Sequence, residues 1–228
     1  MHSISYTASV GTKFHPDGNV RTFPGNSIIC FVGAQPELFR ELVWVQEQLR
    51  ALSCHGKLGF LPPDSFHMTV MELLCDQVRE EKMWSSHLPL SIPFAETDRF
   101  LKVRVSQVPA PPGFRMRYDR ISLEDVATIY MMPADHACSQ ALINYRDRLS
   151  EVIGIRFPDH DEYRFHITLA YKLIAFNAKE QKEVSETLKQ LDQRLEKTFG
   201  VFNSGPPSLV FFNDMFGFSK DIQRDRPV

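Results

Sequence analysis

Two histidines and two threonines, identically spaced in distant parts of the chain, are the residues that could do chemistry here. They lie in Phe66-His67-Met68-Thr69-Val70 and in Phe165-His166-Ile167-Thr168-Leu169. In an extended strand, residues two apart share a face. Each motif therefore turns its His and Thr outward together and holds its apolar residues against a core. Brought face to face, the two copies supply an acid, a base and two hydroxyl donors. That set suits a phosphodiester beside a ribose hydroxyl, or a 2′,3′-cyclic phosphate. A base activates the attacking oxygen, an acid protonates the departing one, and hydroxyls donate to the phosphoryl oxygens. Histidine can fill either role because its ordinary pKa lies near neutrality.

One His-x-Thr alone carries no weight. With eight histidines, about half a match is expected by chance. The surroundings of the two motifs repeat as well. Leu38, Leu42, Val45, Leu49 and Leu52 follow the helical period before the first motif; Cys138, Leu142, Tyr145, Leu149 and Val152 do so before the second. A strand-like run precedes each helix, Ile28 to Val32 and Val126 to Met132. Both halves thus read as strand, helix, loop and motif strand, an internal duplication of about 100 residues.

On these motifs the chain resembles the 2H (two-histidine) phosphoesterase superfamily, whose signature is a pair of His-x-Thr/Ser motifs, one per lobe. The resemblance runs from about Ile28 to Phe218. The lead-in Leu61-Pro62-Pro63-Asp64-Ser65-Phe66 is similar to that of a poorly characterised subgroup. Together with the duplication it implies an α+β fold of two pseudo-symmetric lobes. Each lobe is an antiparallel sheet with outer helices, and the lobes face each other across a central groove. His67 and His166 are the expected catalytic pair, with the roles of acid and base left open; Thr69 and Thr168 are the expected phosphate contacts. The resemblance also carries the substrate class, a cyclic phosphate of a nucleotide or an RNA end, hydrolysed without metal or cofactor. The residues alone support acid–base chemistry on an oxyanion.

Alternation extends the two faces. Arg164, His166, Thr168 and Lys172 share one parity, as do Ser65, His67, Thr69 and Met71. Arg164 becomes a further candidate phosphate contact, while Tyr163 and Tyr171 fall to the core side. Lys102 with Arg104, and Arg115 with Arg117, either line the groove or form a solvated edge. Phe60, Trp84 and Tyr118 could stack on a base or simply pack.

Other classes compete. Two histidines could hold a metal, but zinc wants three or four ligands, and neither the other histidines nor the four cysteines show ligand spacing. The chain could be a non-catalytic nucleotide-binding module, or a same-fold enzyme with altered chemistry on a non-nucleotide substrate. No Gly-rich loop suggests use of ATP. A net charge of −2 excludes a broad nucleic-acid surface but leaves room for a small nucleotide or an RNA end. No signal peptide or membrane span is evident in the sequence, so cytoplasmic location, no membrane partner and a monomer are the default expectations.

The 228 residues read as one domain. An arm covers 1–26, and lobes cover roughly 27–108 and 113–228, with exchange of strands between them possible. Helices are expected from Pro36 to about Leu52, from the cap Asp135 to Gly154, and from the capping pair Asn177 and Glu180 to Gly200. Phe100–Val105 and Phe114–Tyr118 alternate as strands, and Leu209–Phe212 and Met215–Phe218 are expected to close the sheet.

Overall fold

The computed structural model describes residues 4–221. The ends of the expected 1–26 arm and 113–228 lobe lie partly outside that range. Among the described residues the elements are β1 (Gly25–Phe31), α1 (Pro36–Arg50), β2 (Leu58–Phe60), β3 (His67–Cys75), α2 (Phe94–Val105), β4 (Arg115–Leu123) and β5 (Val126–Pro133). They continue with α3 (His136–Ile153), β6 (His166–Lys172), α4 (Ala178–Thr198), β7 (Val201–Asn203), β8 (Ser208–Asp214) and β9 (Gly217–Ser219).

The periodic stripes are what the helices bury. Leu38, Leu42, Val45 and Leu49 of α1 are buried, as are Cys138, Leu142, Tyr145 and Leu149 of α3. Asp135 caps α3 by accepting the Cys138 N–H, and Gly154 ends it at φ 66°, a left-handed position that glycine fills without strain. Asn177 and Glu180 form the capping box of α4.

The strands pair antiparallel in the order β7-β4-β5-β6-β3-β1-β8-β9, with β2 beside β6. The order is a palindrome about the β6–β3 contact. The first strand of each repeat, β5 or β1, flanks its motif strand, and β4 or β8 flanks that. The fold is α+β, a curled antiparallel sheet whose two halves join edge to edge where Met68 pairs with Ile167. Strand β8, late in the chain, pairs with β1, so the chain crosses back to the first half.

Phe100–Val105 corrects the strand expectation, since it is the second half of α2. Phe94, Thr97, Asp98 and Leu101 are buried at i, i+3, i+4 and i+7, a helical stripe that the local alternation of charges obscures. Lys102 is exposed and Arg104 lies 5.5 Å over the Phe100 ring; neither lines the groove. On β4, Arg115 pairs with Asp135 and Arg117 is exposed. These cations are surface groups but not a sheet edge: Lys102 and Arg104 ride on a helix, and β4 is paired on both sides, with β5 and β7.

The N-terminal segment is built into the core. Phe14 has no exposed surface. Its ring packs against Tyr171 and Phe216 at 5.3 and 6.1 Å and sits so close to Gly59 that a Cβ there would come within 3.2 Å of it. Backbone bonds tie the segment down, Thr7 N–H to the Leu173 carbonyl at 3.0 Å and Ala175 N–H to the Ser5 carbonyl at 2.8 Å.

Candidate active site

The motif strands β3 and β6 lie side by side at the centre of the palindrome. Antiparallel register at Met68–Ile167 sets His67 beside Thr168 and Thr69 beside His166. The four residues form a two-by-two patch related by a pseudo-twofold axis, and all four line one cavity of about 230 Å³. Their apolar neighbours Phe66, Met68, Val70, Phe165, Ile167 and Leu169 are buried, as alternation requires.

Local bonding repeats with the motifs. The Nδ1 of His67 lies 2.6 Å from the Ser65 carbonyl oxygen, and the Nδ1 of His166 lies 2.8 Å from that of Arg164. A carbonyl oxygen only accepts, so each Nδ1 donates its proton and each Nε2 is left for the groove. The His67 ring is half-buried against Phe218, with centroids 4.3 Å apart. Burial pushes its pKa down to about 4; the Ser65 carbonyl opposes that shift and the nearby His166 adds to it. The His166 ring stands between Tyr130 and Tyr163, at 5.9 and 6.2 Å.

Past each threonine the strand carries one extra residue. Pairing jumps from Ile29–Thr69 to Ile28–Met71 on β3 and from Thr128–Thr168 to Ala127–Ala170 on β6. A bulge of this kind reverses the alternation of faces. Val70 and Met71 are therefore both buried, as are Leu169 and Ala170, and Glu72 and Tyr171 turn into the groove. This corrects three expectations: Met71 is core, Tyr171 is not, and Lys172 pairs with Asp125 at 3.3 Å outside the groove. The paired apolar residues after each Thr are the sequence signal that strict alternation passes over. Buried Gln46 of α1 braces the second bulge, donating from Nε2 to the Leu169 carbonyl at 2.9 Å and the Leu61 carbonyl at 2.8 Å.

Arg164 does not join the four. It precedes β6, just after the His160–Glu162 turn, where strand alternation is not in force. Its exposed side chain lines a separate cavity of about 340 Å³ that includes Arg120 and Arg146. The aromatic candidates also lie elsewhere. Trp84 is buried with Arg79 over its ring, Phe60 stacks under Arg50, and Tyr118 donates to Asp192. The aromatic lining comes instead from Phe23, Phe157, Phe212 and Phe218, with Tyr171. Phe212 and Phe218 arrive on the β8–β9 hairpin and Phe23 on the N-terminal segment, far in sequence from either motif.

Among the described residues, Asp147, His160 and Asp161 form the group that could hold a metal. Arg156 already bridges the two carboxylates, and His160 bonds Asp147 at 3.1 Å. None of these lines the groove. The four cysteines are free thiols. No helix among the described residues is long and apolar enough to cross a membrane.

No curated protein matches the chain. Among solved structures, it is similar to the conserved protein of unknown function ATU0111 from Agrobacterium tumefaciens str. C58. The TM-score is 0.87 at 27% identity, over 95% of this chain and 92% of that one. A more distant likeness is to TT0787 of Thermus thermophilus, with a TM-score of 0.42 at 19% identity, over 65% of this chain and 74% of that one. Residues 13–127 match the family 2H-phosphodiest, described as a domain of unknown function (DUF1868). The matched half of the chain holds His67, Thr69 and their bulge, while His166 and Thr168 lie beyond it. With the first motif inside the match and the second set beside it at the seam, the chain belongs to the 2H-phosphodiest family, whose name carries a phosphoesterase-type function.

Proposed function

We propose that this protein is a metal-independent phosphodiesterase that opens cyclic phosphates, of the 2′,3′-cyclic nucleotide or RNA-end type, by two-histidine acid–base catalysis. The seam carries the reading. Two Nε2 atoms and two Thr hydroxyls come from adjacent strands into one groove, and each ring is held by a carbonyl two residues upstream. Apolar walls at Leu61, Phe157, Phe212, Met215 and Phe218 fit the flat body of a nucleobase.

His67, kept neutral by burial, acts as base. Its Nε2 takes a proton from water as the water oxygen bonds to phosphorus. His166, in its protonated form, gives its Nε2 proton to the ribose oxygen as the P–O bond breaks. Thr69 and Thr168 donate to the non-bridging oxygens, where charge builds in the transition state. The product is a phosphomonoester, and exchange of a proton with solvent at each ring resets the site.

The lowered pKa of His67 gives a pH prediction. A base works only unprotonated, so His67 is expected to impose no loss of kcat/KM as pH falls from 7 to about 5. The limb it sets should drop with unit slope only below about 4, the folded-state value. A pH–rate profile checks this, and an acid limb near 6.5 would assign the base elsewhere. Arg164, in its separate cavity, predicts the opposite of a phosphate contact. Arg164→Ala is expected to change kcat/KM on a mononucleotide by less than about twofold, since exposed substitutions away from a site have effects within about 0.5 kcal/mol.

The test of the function is turnover of a 2′,3′-cyclic nucleotide panel in EDTA, with products resolved as 2′- or 3′-phosphates. Binding without turnover of nucleotides and RNA ends alike would favour a ligand-binding module instead.

A further inference from the structure

Among the described residues, the groove holds one cation that the two-histidine chemistry does not use. Lys13 reaches it from the N-terminal segment. Its Nζ lies 4.8 Å from the centre of the Tyr171 ring, 5.2 Å from that of Phe23 and 3.4 Å from the Tyr171 hydroxyl. It makes no ion pair among the described residues. Glu72, the carboxylate that lines the same groove, forms no ion pair with it among the described residues. The backbone here is held on both sides: Lys13 N–H donates to the Ser9 carbonyl at 3.0 Å, Arg21 N–H donates to the Lys13 carbonyl at 2.8 Å, and Phe14 is buried next door. Holding a lysine in this way costs rotamer entropy, and an ammonium already in place is a pre-organised anion contact.

Its position also breaks the symmetry of the site. The seam presents a His and a Thr from each strand, so either orientation of a phosphodiester meets the same residue types, and only the deeper burial of His67 tells the two apart. The N-terminal segment lies outside the duplicated halves, and among the described residues no other lysine or arginine lines the groove. Lys13 donates to the Tyr171 oxygen at 3.4 Å, and the Tyr171 hydroxyl donates in turn to the Met215 sulfur at 3.8 Å, a weak acceptor that a phosphate oxygen would outcompete.

We infer that Lys13, with Tyr171, holds a second anionic group of the substrate, a phosphate remote from the phosphodiester, and so fixes which way round the substrate lies. A compact ammonium with rotatable donors suits a terminal phosphate. The inference rests on the phosphodiesterase reading and narrows it to cyclic phosphates that carry a further phosphate.

The experiment compares wild type, Lys13→Met and Lys13→Arg on adenosine 2′,3′-cyclic phosphate bearing no, one or two 5′-phosphates. Wild type is expected to show the lower KM on the 5′-phosphorylated substrates. Lys13→Met should raise that KM by about tenfold or more, the scale of one charge-assisted contact, with kcat within about twofold and the unphosphorylated KM unmoved. Lys13→Arg should keep most of the preference. An equal rise in KM on all three substrates would overturn the inference by assigning Lys13 to the scissile phosphate, and no change on any would overturn it outright. If wild type turned over none of them, the functional reading would fail separately. Calorimetry with adenosine 2′-phosphate and adenosine 2′,5′-bisphosphate then decides the inference. Tighter binding of the bisphosphate that is lost in Lys13→Met supports it, and equal binding of the two ligands by wild type rejects it.

Discussion

Alanine at His67 or at His166 is expected to lower kcat on a 2′,3′-cyclic nucleotide by about 10²–10⁴-fold, the scale of a positioned acid or base. That corresponds to about 3–5 kcal/mol of barrier. The two rings face the groove while their apolar neighbours Phe66, Met68, Phe165 and Ile167 fill the core. Removing either ring should therefore leave the thermal midpoint within a few degrees of wild type. The double variant is expected to be little slower than the worse single one, because acid and base act in one step and their losses do not add. His67→Ala carries a second signature. With the base gone, the limb of the pH profile set by its pKa of about 4 should vanish. Near-normal turnover in both single variants would end the two-histidine assignment.

Phe14→Ala is expected to destabilise the protein by about 3–5 kcal/mol, the usual cost of emptying a buried aromatic site. The ring has no exposed surface and fills the space between Gly59 of β2 and Tyr171 of β6. Backbone bonds hold the segment around it, so the cavity has little means to collapse. Denaturant unfolding measures the loss, and Phe14→Leu, which keeps most of the volume, should cost clearly less. The change should also be felt in the groove, because Lys13 adjoins the anchor and Tyr171 is shared by both. A loss under about 1 kcal/mol would mean that residues 4–23 are an appendage and not part of the core.

These two predictions draw on different kinds of information. His67, Thr69, His166 and Thr168 are legible as a set because the rule that selects them is local: residues two apart on a strand share a face. The stripes of α1 and α3 and the caps Asp135, Gly154 and Asn177 are legible for the same reason. Local rules also mislead where two periods fit a few residues equally well. The alternation of Lys102 and Arg104 imitates a strand over six residues, and the helical stripe of α2 emerges only when Phe94 and Thr97 are counted with Leu101. β2 and β7, at three residues each, are too short to show any period.

By itself the sequence determined which atoms can do chemistry, that they come in two matched copies, and that each copy rides on a strand behind a helix. Each of these depends on neighbours within one turn or one pleat. Only the tertiary structure decided that the two strands join at Met68 and Ile167, with each histidine beside the other motif's threonine. Only it decided that bulges turn Glu72 and Tyr171 inward, that Phe218 covers His67, and that Lys13 enters the groove. The physical reason is common to all of these. A bulge is set by the partner strand's register, and a half-buried ring or an unpaired ammonium by segments far away in the chain, which no local spacing records.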